Sequence, residues 1–406
     1  MRALIISLII PLLILGPFFS DVIVSLSALL FLIYVIKKKK FYYFNKKPLI
    51  IFFTFCIYCI LVSTFIAKNT LLSFESSLFY FRIGVFTCLI WYLIEKNQEI
   101  LNYFYYALVF CFSALIIDGY IQFFTGTNII GLSKKAARIS SFFGSELIMG
   151  SYLSRLFPLL FALFLIREKK KSELFAMSFF FILLSGLIYI SGERAAFFSF
   201  ILSFMFIIIF IKQYKKFRIG LLAGSLILIT MLTLNFTNIK DRMLFSPAST
   251  IKKSIFTPQH DSLMRTAYNM FLEKPVFGHG PKMFRVLCKE EKYAVGITPC
   301  MTHPHNFYLQ LLAETGIIGF SFLFSAFVYI LYCAYQQFKS IILKRKRYLT
   351  DYQICLLAGI LITVWPVTTN GNFFNNWLAI VYSLPVGFYL HSIYGKNKNN
   401  ISVISY

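Results

Sequence analysis

Acidic residues are scarce in this chain: 16 Asp and Glu stand against 40 Lys and Arg in 406 residues, a formal net charge of +24. Charge of either sign is thin, at 14% of residues, against about a quarter in an ordinary soluble domain. No CxxC…CxxC arrangement occurs, which excludes a structural zinc site of that kind. The first apolar run, Ala3 to Gly16, is followed by no small-residue cleavage site and at once by a second run, so an uncleaved hairpin turning at Asp21 is expected, not a signal peptide. No organelle transit peptide and no internal repeat is visible. What is abundant is apolar mass: 58% hydrophobic residues, with 49 Phe and 25 Tyr. That is about 235 residues, and at roughly 20 per membrane helix it suffices for about a dozen spans.

Apolar runs lie near 3–19, 21–36, 48–66, 77–94, 101–121, 146–166, 174–191, 195–211, 219–236, 307–334, 351–369 and 375–392. The predicted fold is therefore an all-α polytopic membrane protein with about twelve transmembrane helices. Nine spans fall in 1–236, a large loop in 237–304, three spans in 305–392 and a tail in 393–406. With a cytoplasmic N-terminus every second connection should be basic. Lys37–Lys40 with Lys46 and Lys47, Arg167 with Lys169–Lys171, Lys212 to Arg218, and Lys344–Arg347 all obey, and Lys396 and Lys398 put the tail on the same side. About 23 of the 40 basic residues belong to this face, so most of the net charge reports topology and nucleic acid drops out as a partner. The expected location is the bacterial inner membrane, with both termini cytoplasmic.

The 237–304 loop is the one extramembrane segment long enough to fold, and it falls on the outer, periplasmic side. It carries ten Lys/Arg against five Asp/Glu, and a second outer loop holds Lys134, Lys135 and Arg138, so an anionic partner outside is expected. Cys56, Cys59, Cys88, Cys111, Cys333 and Cys355 lie within spans, where a thiol is a small hydrophobe. Cys288 and Cys300 share the outer loop, where a disulfide can persist.

An ionisable residue within or at the end of a span is costly and is a functional candidate by default. The candidates are Arg82, Asp118, Glu146, Arg155, Glu193, Arg194 and Glu314. Ser191-Gly192-Glu193-Arg194 forms the outward tip of a helical hairpin, where Arg194 either serves a site or pairs with Glu193 as a self-neutralising turn. In the long loop a short amphipathic helix begins at an N-cap Asp261 or Ser262 and stops at Lys274-Pro275. Its polar face holds Arg265 and Asn269, with a Gly278-His279-Gly280 turn beyond.

The strongest local signal is Thr302-His303-Pro304-His305-Asn306, directly before an apolar run. With Pro304 in a first helical turn, His305 and Asn306 should open a membrane helix at the outer surface. The positive end of the helix dipole would keep His305 neutral and able to act as a base. Interfacial capping, or zinc held by His303 and His305, are the alternatives. Arginines suit phosphate oxygens through bidentate contacts, and a lipid-linked diphosphate presents its charge at this depth. Displacement of that diphosphate by a hydroxyl is the expected chemistry, with arginines on the leaving group and histidine on the proton.

His305-Asn306, nine residues, then Gly316-Ile317-Ile318-Gly319 resembles the His-[Asn/Ser/Gln]-x9-Gly-x-x-[Gly/Thr/Tyr] pattern of O-antigen ligases. HPHNFYLQLLAETGIIG resembles the wider bacterial O-antigen ligase and polymerase membrane family. Further echoes are Ser191 to Arg194, Arg265 ahead of Lys274-Pro275-Val276-Phe277-Gly278-His279-Gly280, and Asn370 to Trp377. The resemblance implies a class C-like membrane glycosyltransferase, independent of metal and cofactor, acting at the periplasmic face. Its donor would be an undecaprenyl-diphosphate-linked glycan, and its acceptor a lipid A–core sugar for a ligase or a lipid-linked repeat unit for a polymerase. By similarity His305 takes the base position and Arg194 and Arg265 the diphosphate positions, with Arg138, Arg82, Glu146, His303 and Asn306 as further substrate contacts. No DxD motif is present, in keeping with arginine replacing Mg²⁺. The expected reaction inverts the anomeric centre. The x9 spacing favours a ligase over a polymerase. A secondary transporter also has twelve spans and buried charges, but its halves should be related, and they are not.

Overall fold

The computed structural model describes residues 2–135, 138–168, 170–244 and 256–396; Lys169 and Lys398 of the basic clusters and residues 245–255 of the long loop lie outside them. The helices are α1 (Arg2–Ser7), α2 (Ile9–Leu15), α3 (Pro17–Lys37), α4 (Lys47–Phe65), α5 (Thr70–Leu78), α6 (Phe81–Lys96), α7 (Glu99–Thr125), α8 (Met149–Leu165), α9 (Lys171–Ile190), α10 (Arg194–Phe210) and α11 (Lys215–Asn235). They continue with α12 (Thr237–Met243), α13 (Pro258–Glu273), α14 (Phe284–Leu287), α15 (Phe307–Ile342), α16 (Asp351–Thr363) and α17 (Asn376–Tyr394). Strand character among the described residues is confined to the isolated bridges Thr127–Ser133 and Lys135–Arg138. The protein is an all-α polytopic membrane protein. Among the described residues eight helices, α5 and α6 counted as one, are long and apolar enough to cross a bilayer, and four shorter apolar helices at Leu4–Leu15, α8, α10 and α16 occupy the remaining predicted runs.

The first turn is not at Asp21. Gly16, at φ 138°, breaks the chain, and Pro17 opens α3. Asp21 lies inside α3 and pairs with Arg82 of α6 at 2.6 Å. The centre of the bundle is α8, buried along nearly its whole length against α10, α16 and α17. By contrast only 17% of the apolar window of α15 and 22% of that of α11 is buried within the protein, so lipid must cover the rest.

Contacts sort the connections into two ends. At one, Lys212 N and Gln213 N donate to the Asp351 carboxylate, Tyr42 Oη donates to the Tyr394 carbonyl, and the basic clusters gather. At the other, Arg242 Nε donates to the Gly192 carbonyl, Lys68 pairs with Glu290, and Asn370 N donates to the His305 carbonyl. A 17-residue helix such as α8 is about 25 Å long, which separates the ends.

The long loop folds onto this second end. Leu263, Ala267 and Met270 of α13 pack on Met283, Phe284, Leu287 and Tyr293, with Ala313 of α15 closing the cluster. Helix α13 starts earlier than expected: Thr257 is the N-cap, its hydroxyl accepting from His260 N at 3.3 Å, and Pro258 opens the helix. Asp261 and Ser262 therefore lie in its first turns. Cys288 and Cys300 are joined by a disulfide, and the other six cysteines are free and buried within helices.

Helix α15 breaks at Gly316 (φ 63°, ψ −168°), and the 275–280 segment threads into the break. Ile317 N donates to the Pro275 carbonyl at 2.8 Å, His279 N to Ala313 at 3.0 Å and Gly280 N to Glu314 at 2.7 Å. Tyr58 of α4 donates to the freed Thr315 carbonyl at 2.7 Å. The Gly-x-x-Gly half of the motif is thus the joint between loop and helix. Backbone can leave a helix here because the polar groups it frees find partners in the loop and in α4.

Candidate active site

His305 lies at the second end, just before α15, in the left-handed region at φ 59°, and its carbonyl accepts from Asn370 N at 2.8 Å. Asn306, not a proline turn, starts the helix. Its Oδ1 accepts from Tyr308 N and Leu309 N, both at 3.0 Å, while Nδ2 donates to the Pro366 carbonyl at 2.8 Å. Pro304 is left outside the helix. Asn306 is 5% exposed with its amide wholly engaged by protein, so its place is structural.

Three of the five histidines converge. His303 packs on His305 with ring centroids 4.1 Å apart, and His260 of α13 approaches His305 at 4.8 Å. His303 Nδ1 meets Thr302 Oγ1 at 2.9 Å, whereas its buried Nε2 lacks a hydrogen bond of normal geometry. Burial first, then neighbouring positive groups, lower both ring pKa values: His303 to about 3, with His305 and Arg285 beside it, and His305 to about 4, with His260 beside it. Both rings are neutral at pH 7. Unfolded histidine titrates near pH 6.5. This contribution to stability is therefore complete above about pH 6.5 and is lost as pH falls toward 4, where the unfolded chain takes up protons that the folded chain refuses. Among the described residues no group of three or more His, Cys, Asp or Glu is arranged to hold a metal ion.

Arg194 opens α10 next to His260, whose pKa it lowers after burial has done so, and next to Arg242. The self-neutralising Glu193–Arg194 turn is not what forms. The buried Glu193 carboxylate accepts from Gly150 N at 2.7 Å, Ser151 N at 3.1 Å and Ser151 Oγ at 2.9 Å, capping α8 instead. The other buried acids behave alike: Glu314 accepts from Phe284 N at 3.1 Å, and Asp118 from Ile129 N at 2.8 Å. These three buried carboxylates hold backbone. The arginines are left over: Arg138, Arg155, Arg194, Arg242 and Arg285 make no ion pair among the described residues.

The expected residues divide accordingly. His305, His303 and Arg194 are brought together through His260, and Arg138 joins by its proximity to Arg242 and Glu193, donating to the Leu147 carbonyl at 2.8 Å. Arg265 is not against them: it points to Asp261 at 2.9 Å, with its side chain 60% exposed. Arg82 is engaged by Asp21 and Ser25, tying α6 to α3, and Glu146 is exposed. His260, Arg242 and Arg285 were not singled out from the sequence. A lone loop histidine or arginine carries no local pattern: the folding of α13 and α14 onto α15 brings in His260 and Arg285, and α12 carries Arg242 to the Gly192 carbonyl.

Residues 179–324 match the family model described as O-antigen ligase. This segment is similar to the O-antigen ligase family. No curated protein matches the chain. The matched segment runs from α9 to the first part of α15, so it contains Arg194, Arg242, His260, Arg265, Arg285, His303, His305 and the Gly316 break, while Arg138, Arg155 and Asn370 lie outside it. The similarity is to a glycosyl-transfer enzyme of the O-antigen ligase type, and the apolar helices are those of a multi-pass membrane protein.

Proposed function

We propose that the protein transfers an undecaprenyl-diphosphate-linked glycan to a hydroxyl of lipid A–core at the periplasmic face, without metal and with inversion. The observation that carries this is the set of unpaired arginines around a neutral histidine, at the bundle end opposite the basic connections. Positive connections mark the cytoplasmic side, which leaves the site facing the periplasm. Arg194 holds the diphosphate, with Arg242, Arg285 and Arg138 adding positive potential. Arg265 joins by exchanging Asp261 for phosphate. An exposed i,i+4 pair contributes only about 0.3–0.5 kcal/mol, less than a charge-assisted hydrogen bond to phosphate, at about 1.5–3 kcal/mol.

The acceptor oxygen attacks the anomeric carbon, the bond from that carbon to the phosphate oxygen breaks, and the diphosphate leaves with the electron pair. His305 takes the hydroxyl proton. In the empty site His305 is a weak base, because burial and His260 oppose its charge. The doubly anionic donor supplies the opposite field and raises its basicity when it binds.

The carrier-lipid and lipopolysaccharide profile of a deletion strain tests the function. Complete glycan chains stranded on the carrier lipid are expected. Single repeats on lipid A–core would make the protein the polymerase that joins lipid-linked units, and an unchanged profile would remove both readings.

A further inference from the structure

This inference rests on His305 being the base. A non-glycine residue in the left-handed region is strained and persists only where surrounding contacts determine it. At His305, with φ 59°, those contacts form a chain leading into the membrane-embedded core. The His305 carbonyl accepts from Asn370 N at 2.8 Å. Asn370 is 4% exposed, and its Oδ1 accepts from Arg155 Nη2 at 2.9 Å. Arg155 projects from α8, is 6% exposed, and sets its guanidinium 4.7 Å from the centre of the Tyr382 ring. Its Nε and Nη1 are buried without hydrogen-bond partners, and no carboxylate neutralises it among the described residues.

A buried guanidinium without a counter-ion costs several kcal/mol. Helix packing alone would be served better by Leu or Met at this position. Asn370 already has a backbone contact, so what the arginine adds is a fixed orientation of its side chain, and through it of the peptide that grips His305. We propose that Arg155 is a positioning residue: acting through Asn370, it holds the His305 backbone in the conformation that aims the imidazole at the acceptor hydroxyl, and it touches neither donor nor acceptor.

The test uses full-length protein in lipid nanodiscs with the lipid-linked glycan as donor, comparing wild type, Arg155→Met, Asn370→Ala, the double variant and Arg155→Lys. Misplacing a catalytic group by about 1 Å costs on the order of 100-fold, so kcat should fall about 10- to 100-fold in each single variant while donor KM stays within about twofold. The double variant should be no more than about threefold worse than the weaker single one, as links of one chain require. Arg155→Lys should recover part of kcat, because an ammonium also donates to Asn370 Oδ1. A raised donor KM with normal kcat would overturn the proposal by making Arg155 a phosphate ligand, and losses that multiply in the double variant would overturn it by making the two residues independent. If Arg155→Met does not fold, Asn370→Ala decides alone, and a normal kcat there overturns it. His305→Ala measured alongside separates the two claims. An active His305→Ala removes the base whatever Arg155 does, and an inactive one beside a normal Arg155→Met removes only the positioning role.

Discussion

His305→Ala is expected to lower transfer about 10²- to 10⁴-fold, the range that a lost general base commonly costs, with donor affinity and membrane insertion preserved. The ring is neutral at pH 7 and Arg194 lies beside the neighbouring His260, so its removal takes away the proton acceptor and leaves the anion-holding groups in place. His303→Ala is the companion measurement. Its Nδ1 is occupied by Thr302, and it buttresses the His305 ring at 4.1 Å, so a smaller loss is expected. Turnover of the purified variants checks both, and activity of His305→Ala within twofold of wild type would remove it as the base.

Gly316→Ala should be the most damaging small substitution in the protein. The backbone there, at φ 63° and ψ −168°, lies in a region essentially closed to residues with a Cβ. An added Cβ would sit 2.2 Å from the Val276 carbonyl oxygen, part of the segment threaded into the break. Strain and clash together should cost about 3 kcal/mol or more. Thermal unfolding in detergent should show a large drop, and limited proteolysis should reach the long loop at lower protease concentration. Gly220→Ala is the control: nothing lies within 4 Å of its Cβ position, so the change should be neutral or mildly stabilising. Equal behaviour of the two variants would mean that the loop is not held at this joint.

These residues also show what was legible beforehand. The helical membrane architecture and the division of charge between two ends follow from long apolar runs and basic connections, which are local and repetitive signals. The place of His305 beside the start of a membrane helix was visible in a short pattern, and capping was one of the roles that pattern left open. Asn306 is the cap of α15, and Gly316 the joint for the 275–280 segment. Both are tertiary facts that hydropathy does not encode. The N-cap of α13 was placed four or five residues late because Asp261 and Ser262 are good capping residues and Thr257-Pro258 is a better start. Arg265 drew attention as the cation on a polar helix face, yet the same face offers Asp261 one turn earlier, and that pair forms. His260, on the same helix, gave no sequence signal. Among the intramembrane charges, treating acids and arginines alike missed their division of labour: Asp118, Glu193 and Glu314 secure backbone, while Arg155 and Arg194 remain without carboxylates.

The central claim is that Arg194, with Arg138, Arg242 and Arg285, holds a lipid-linked diphosphate beside His305. Equilibrium binding of undecaprenyl diphosphate to purified protein in nanodiscs tests it most directly, comparing wild type with Arg194→Ala and His305→Ala. Loss of a charge-assisted contact of about 1.5–3 kcal/mol predicts affinity about 10- to 100-fold weaker in Arg194→Ala and unchanged in His305→Ala. Wild-type affinity in Arg194→Ala would contradict the account, because the arginine beside His260 would then have no part in holding the donor.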